Sequence, residues 1–158
     1  MFTTYKKNDT ICEILNDLVN INNDRSIAYR QAINEAKNAN TEMVAILKDI
    51  LLECEFNKQQ LLDRLKATSG YLYQNALLPG KIYKAWTDLK INITKGFSKS
   101  LVALCEHNED VMQHIYNTVA YYTDISQELR TLISEQQNVA KKTQYMIKTC
   151  RDSCHVFY

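Results

Sequence analysis

The stretch that decides the fold is Thr10–Ala36, TICEILNDLVNINNDRSIAYRQAINEA. Apolar residues recur along it at steps of three and four, the spacing of one face of an α-helix. Thr10 followed three residues later by Glu13 forms a capping box, so we expect the helix to begin at Thr10. Its middle is unusual, because Asn22 and Arg25 occupy the inward face where apolar residues are expected.

The same periodicity predicts four further helices. The glycines and the single proline all lie between Gly70 and Gly96, so the middle of the chain is a long crossover. This length disfavours an up-down-up-down bundle with short loops. We predict one all-α domain over residues 1–158: a ferritin-like four-helix bundle of two antiparallel helical hairpins joined by a long crossover with a short extra helix. The predicted helices span residues 10–38, 41–68, 81–94, 98–122 and 125–153.

The composition is that of an ordinary globular domain, with 46% hydrophobic and 23% charged residues. Lys and Arg exceed Asp and Glu by only 19 to 18, so we expect no nucleic-acid partner. No apolar run is long enough to span a membrane, and the N-terminal residues do not form a secretory signal. We therefore expect a soluble, cytoplasmic protein.

The five cysteines are an odd number and are scattered along the chain. We interpret them as reduced, buried core residues. Cys150, Cys154 and His155 lie close together and leave a soft-metal site as the alternative, although zinc needs about four ligands. The sequence does not fix the role of these three residues.

The crossover helix, within KIYKAWTDLKINITK (residues 81–95), is basic and amphipathic and carries the only tryptophan, Trp86. Binding to a membrane surface is one interpretation of such a helix. The interpretation that we favour is that the Trp86 face packs on the bundle, since the helix is short.

Three segments resemble a bacterial ferritin-like family of unknown function: LNDLVNINNDRSIAYRQAINEA (15–36), GKIYKAWTDLKINIT (80–94) and SLVALCEHNEDV (100–111). The resemblance is carried by the LNDLxxINNDR, AWxDLK and CExxED patterns, and it implies a ferritin-like bundle, a role under stress and no established reaction. Two positions depart from the family pattern. Arg30 follows Tyr29 where relatives tend to be acidic, and Gln144 stands where they tend to have histidine.

A di-iron bundle needs Glu from two helices and Glu-x-x-His from the other two, and this sequence has no Glu-x-x-His. We therefore predict no metal site and assign no catalytic or cofactor-binding residue. Should iron or manganese bind, the candidate ligands are Glu35, Glu106 and Glu109. His107, Asp110 and His114 share an outward face, which we interpret as solvated.

Polar residues interrupt the inward faces of all four long helices. We predict a hydrogen-bonded polar layer that fixes helix register, with Glu35 or Glu109 as anions for Arg25 or Lys58. The layer comprises Asn22, Arg25, Lys58, Asn108, Gln136 and Thr143. The function that we predict is a non-enzymatic structural or interaction protein that self-associates; a di-metal carboxylate protein for oxidation or metal storage is the alternative.

Overall fold

The structure is a computed structural model, which describes residues 2–36, 41–69, 78–92, 101–122 and 125–154. Within these ranges the regular secondary structure is all α-helix, without a β-strand, as the sequence predicts. The helices are α1 (Phe2–Ala36), α2 (Thr41–Ser69), α3 (Lys81–Leu89), α4 (Leu101–Ala120) and α5 (Gln127–Cys154). No helix of the described ranges combines the length and the apolar character that crossing a membrane requires.

Two helix starts differ from the prediction. α1 begins at Phe2 instead of Thr10, because residues 2–9 contain no glycine or proline to stop it. α5 begins at Gln127, where the hydroxyl of Ser126 accepts a hydrogen bond from the backbone N–H of Leu129 at 3.2 Å. Ser126 is therefore the N-cap. The predicted helix end at 38 and the predicted start at 98 lie outside the described residues.

α3 ends at Leu89, short of the predicted residue 94. The side-chain amide of Asn108 on α4 holds both backbone groups of Ile91, donating to its carbonyl and accepting from its N–H at 2.8 Å each. The ring Nε2 of His107 donates to the carbonyl of Leu89 at 2.9 Å. These contacts take the backbone after Leu89 out of the helical pattern.

The helices bury two separate apolar clusters. One contains Leu15, Leu18 and Ile21 of α1 with the Trp86 face of α3 and residues of the other three helices. The second contains Tyr29 of α1 with parts of α2, α4 and α5. The polar residues at the middle of α1 lie between these two clusters.

The apolar periodicity places Val139 and Met146 of α5 and Lys58 of α2 on the inward faces. At these positions the buried residue is a direct neighbour, whereas Gln136 and Thr143 are buried as predicted. On α5, Ala140 and Ile147 are buried, whereas Val139 and Met146 are 48% and 40% exposed. On α2, Asn57 is buried and Lys58 is only partly buried. One residue is about 100° around a helix, and both helices carry apolar residues on either side of the true face.

Candidate functional site: a buried arginine network

Arg25 lies at the centre of the bundle with its side chain 1% exposed. Its Nη2 donates to both carboxylate oxygens of Glu109 on α4, at 2.6 and 3.1 Å. Its Nη1 donates to Oδ1 of Asn22, one turn earlier on α1, at 3.0 Å. Asn22 in turn donates to the carbonyl of Leu18 at 2.9 Å, which fixes its orientation. A fully buried guanidinium therefore has a carboxylate partner and an oriented amide partner.

The contacts of Arg25 extend to α2 and α5. Oε1 of Glu53 on α2 lies 3.6 Å from Nη2 of Arg25. The other oxygen of Glu53, Oε2, accepts a hydrogen bond from the hydroxyl of Thr143 on α5 at 2.7 Å. Side chains from α1, α2, α4 and α5 are thus joined around one cation. We call this set the arginine network; its members are Asn22, Arg25, Glu53, Glu109 and Thr143.

The contribution of the network to stability follows from the burial of its charges. Removing charges from water is costly, and the attraction within a buried pair roughly offsets that cost, so such a pair adds little net stability. Leaving one partner unpaired is strongly destabilising. The network therefore penalises any helix arrangement that separates Arg25 from Glu109.

Burial raises the pKa of Glu109 above its ordinary value of 4.5, and the attraction of Arg25 opposes this rise. Burial also lowers the pKa of Arg25, but the surrounding groups, Cys54, Glu109 and Glu53 among them, outweigh it and hold that pKa well above its ordinary value. The guanidinium is consequently the permanent charge of the network.

Two buried cysteines lie beside the network, and their thiols are neutral. Burial raises the pKa of the Cys54 thiol and of the Cys105 thiol to about 12. Both thiols are therefore neutral near pH 7, and a neutral thiol is a poor nucleophile. Cys150 lies 3.6 Å from the sulfur of Met43 in the second apolar cluster. The side chains of Cys154 and His155 lie outside the described residues.

Some buried polar atoms near the network have no hydrogen-bond partner among the described residues. They include Nε of Arg25, the hydroxyl of Tyr116 and Oε1 of Glu53. This oxygen of Glu53 lies 3.6 Å from Nη2 of Arg25, which is too far for a hydrogen bond. Buried polar atoms in native proteins are nearly always paired with protein or water. The network therefore has unused hydrogen-bonding capacity.

A second polar arrangement joins α1 to α3. The carboxylate of Asp17 accepts hydrogen bonds from the backbone N–H groups of Gly80, at 2.8 Å, and Tyr83, at 3.2 Å. Asp17 thus caps the N-terminus of α3 from another helix, where a negative charge is favourable. A side chain at residue 80 would displace the Asp17 carboxylate, because an added Cβ would lie 2.6 Å from its Oδ2.

About two turns further along α1, Asp24 makes a second set of contacts with α3. Its Oδ2 accepts from the hydroxyl of Tyr83 at 2.8 Å and from the indole nitrogen of Trp86 at 3.2 Å. The ammonium of Lys90 lies 3.6 Å from the same oxygen. We call the contacts of Asp17 and Asp24 with α3 the α1–α3 joint. It keeps Trp86 buried, so the apolar face of α3 faces the bundle.

The structure brings together some residues of the predicted polar layer and separates others. Asn22, Arg25 and Thr143 belong to the arginine network. Asn108 is buried but binds the backbone after α3, as described above. Gln136 is buried and donates to Oε1 of Gln60 at 3.2 Å, away from Arg25. The ammonium of Lys58 is only partly buried and donates to Oδ1 of Asn23 at 3.0 Å, so Lys58 is no member of a buried layer.

The three candidate metal ligands do not converge. Glu109 is committed to Arg25, whereas Glu106 accepts two hydrogen bonds of 2.7 Å from Arg151. Glu35 lies near the C-terminal end of α1 and is partly exposed. His107, Asp110 and His114 are exposed. Among the described residues no group of three His, Cys, Asp or Glu side chains has metal-binding geometry.

The two positions that depart from the family pattern both lie away from the centre. Arg30 pairs with Glu55 on α2 at 2.9 Å, and both side chains are exposed. The side-chain amide of Gln144 donates to the carboxylate of Asp110 on α4. Both residues therefore link neighbouring helices at the outer surface.

Sequence reasoning missed Glu53, Asp17 and Asp24. Glu53 directly precedes Cys54 and stands beside the inward face, so its position alone resembles that of a solvated acid. The signal that could have found it is the unpaired positive charge of Arg25, which requires anions on facing helices. Asp17 and Asp24 are seven residues apart and therefore share one face of α1, which is the remaining signal.

These features define an all-helical bundle whose two apolar clusters are separated by a buried, arginine-centred polar network. The sequence profile of the DUF2383 family, described as a domain of unknown function, matches residues 10–122, well over half of the chain. The chain belongs to the DUF2383 family. Searches of curated proteins and of solved structures give no match.

Proposed function

We propose that this protein is a ferritin-like bundle that acts as a non-enzymatic structural and interaction protein. The observation that carries the proposal is the position of the Arg25 guanidinium between Glu109, at 2.6 Å, and Glu53, at 3.6 Å. In a ferritin-like bundle, carboxylates from facing helices converge on metal ions in the core. Here they converge on an arginine.

The order of contacts along the helices supports a ferritin-like connectivity. Along α1 and α2, residues 23 and 30 contact residues 58 and 55, so these helices run antiparallel. Along α4 and α5, residues 106, 110 and 117 contact residues 151, 144 and 137, which is again antiparallel. Along α2 and α5, residues 53, 60 and 64 contact residues 143, 136 and 128.

These three antiparallel pairs require α2 and α4 to run in the same direction. The chain between them must then return along the bundle, through α3, before α4 begins. One long crossover between two helical hairpins is the connectivity of ferritin-like bundles.

The residues present do not fit a di-metal centre. Such a centre needs two histidines in Glu-x-x-His pairs, and the sequence contains no such pair. The arginine network offers two carboxylates, of which Glu109 has both oxygens bonded to Arg25. A guanidinium in this position supplies permanently the positive charge that metal ions would supply.

Metal analysis of protein expressed without a histidine tag tests this part of the proposal. We expect iron and manganese well below one ion per chain after dialysis against a weak chelator. The convergence of Glu53 and Glu109 favours the alternative, a di-metal protein for oxidation or storage. Two tightly held iron or manganese ions per chain would establish that alternative and overturn the proposal.

The interaction part of the proposal rests on one outer surface, which we call the α2–α5 face. Leu52 and Phe56 of α2 are 69% and 64% exposed, and Val139 and Met146 of α5 are also exposed. Exposed apolar groups that lie side by side are typical of protein contact sites. Both charge signs flank them at exposed positions: Lys48, Asp49, Glu135 and Lys142.

A surface with both charge signs and an apolar centre is self-complementary, as a two-fold dimer contact requires. We therefore assign this face to self-association. Sedimentation velocity of the full chain should show a dimer that Phe56→Ser weakens at least about tenfold, the equivalent of roughly 1.4 kcal/mol. Tyr121→Ser is the matched control, because Tyr121 is 85% exposed at the end of α4, outside this face. A monomer at all concentrations, or equal loss in both variants, would refute the assignment.

A further inference from the structure

A cavity of about 170 Å³ lies between α1 and α4, beneath the segment that follows α3. Arg25 and Glu109, each about 1% exposed, form its inner wall. Ile27 and Ile91, at 55% and 42% exposed, stand on its solvent side. We call it the α1–α4 cavity. Since a water molecule takes about 30 Å³ in the liquid, the volume equals about five or six waters, or one small organic molecule.

The carboxylates that line the cavity bind groups of the protein itself. Asp24 accepts from Tyr83 and Trp86 and lies near Lys90, all through Oδ2. Both oxygens of Glu109 accept from Arg25. Glu109 is therefore paired through both oxygens and Asp24 through one.

The cations that line the cavity have donors to spare. Nε of Arg25 is buried and has no hydrogen-bond partner among the described residues. The ammonium of Lys90 carries three N–H donors, and its ion pair with Asp24 is long, at 3.6 Å. Unused donors on two cations favour a ligand that brings negatively charged acceptors.

The remaining wall is largely apolar. Ile27, Ala28 and Ile91 contribute aliphatic surface, and Trp86 contributes an indole face or edge. A bare inorganic anion would leave this apolar surface in contact with water, whereas a short hydrocarbon chain would cover it.

We propose that the α1–α4 cavity binds a small aliphatic carboxylate, which Lys90 and Arg25 hold by its oxygens and Ile27 and Ile91 contact by its short chain. Such ligand binding goes beyond the structural and interaction role and does not depend on self-association. Acetate, propionate and butyrate are of the size that the volume admits.

Trp86 is the only tryptophan and lines the cavity, so its fluorescence reports occupancy directly. The full chain is titrated with sodium propionate at constant ionic strength, using sodium chloride as the balancing salt. We expect a saturable change in emission, with propionate binding more tightly than acetate. Propylammonium chloride, which has the same chain and the opposite charge, should give no saturable change.

Two variants test the residues. Lys90→Gln should weaken propionate binding about tenfold, the scale of one charge-assisted hydrogen bond. Lys84→Gln is the matched control on α3, which ends directly before Lys90, because Lys84 is exposed and is not part of the cavity wall. Ile27→Glu places a carboxylate on the solvent side of the cavity and should abolish binding while leaving Lys90 in place.

The emission of each variant without ligand, compared with that of the unmodified protein, shows whether Trp86 remains buried, and only variants that pass this check are titrated. A response that never saturates, an equal response to propylammonium, or unchanged affinity in Ile27→Glu would overturn the proposal. These outcomes are independent of the metal and dimer measurements.

Discussion

The arginine network and the α1–α3 joint both depend on charged residues of α1, but they satisfy those charges in different ways. In the joint, Asp17 and Asp24 accept hydrogen bonds from backbone N–H groups, a phenol and an indole. In the network, Arg25 is fully buried and retains an unpaired Nε. The joint holds α3 on the bundle through these hydrogen bonds, whereas the network leaves one donor of a buried cation without a partner among the described residues.

This difference indicates different roles for the two regions. The joint positions α3 against the bundle, so its loss should detach α3. An unsaturated buried cation beside a cavity can still accept an anionic partner. The two regions should consequently respond differently to substitution, in both the size and the kind of effect.

The largest effect is expected for Arg25→Met. The substitution leaves Glu109 and Glu53 as buried carboxylates without a cation, which costs about 3–5 kcal/mol. Urea unfolding followed by circular dichroism gives the free energy of unfolding. Arg30→Met is the matched control, because the Arg30–Glu55 pair is exposed and should change stability by less than about 1 kcal/mol. Similar losses in both variants would contradict the special status of Arg25.

A smaller effect is expected for Asp17→Ala in the joint. The backbone N–H groups of Gly80 and Tyr83 would lose their acceptor, at a cost of about 1–3 kcal/mol. Because α3 is held through this contact, the emission of Trp86 should shift to the red as the indole gains access to water. Emission identical to that of the unmodified protein would show that Asp17 does not position α3.

The pH dependence of stability tests the electrostatics of the network. Since the pKa of Glu109 is raised in the folded state, the folded protein holds a proton at pH values where the unfolded chain has lost it. The stability that this group contributes is complete below about pH 4.5, its ordinary pKa, and is lost as the pH rises through the folded value.

The stability of the unmodified protein relative to Glu109→Gln should therefore fall as the pH rises above about 4.5. Urea unfolding at a series of pH values measures this difference. Glu106→Gln controls for general charge effects, because Glu106 is on the same helix and its carboxylate is bound by Arg151 near the surface. A difference that grows with pH would show that attraction to Arg25, rather than burial, dominates the pKa of Glu109.

The smallest effect is expected for Lys58→Met. Lys58 is only partly buried and bonds to the side chain of Asn23, so its loss should change stability by less than about 0.5 kcal/mol. Denaturant midpoints of the two proteins provide the comparison. A loss comparable to that of Arg25→Met would restore Lys58 to the buried layer that the sequence predicts.

The sequence predicts the helices of this protein well and the partners of its buried charges only in part. Apolar periodicity is a local property, so it identifies each long helix, and Arg25 is conspicuous as a cation on an apolar face. Lys58 was assigned to the interior in place of Asn57, because neighbouring residues on a helix differ by only about 100° in direction.

Glu53 and Asp24 could not be assigned for a different reason. Their roles depend on which helix lies opposite, and that is set by the packing of the whole bundle. The end of α3 likewise depends on Asn108 of α4, which binds the backbone of Ile91 from 17 residues away. Local pattern cannot supply such contacts.

A double-mutant cycle with Arg25→Met and Glu109→Leu tests the central claim most directly. If the two side chains form the buried pair at the centre of the bundle, each single substitution leaves an unpaired charge, and the double substitution removes both charges together. We predict that the double variant is more stable than the sum of the single losses implies, by at least about 2 kcal/mol. Single losses that add to within about 0.5 kcal/mol would contradict the arginine network.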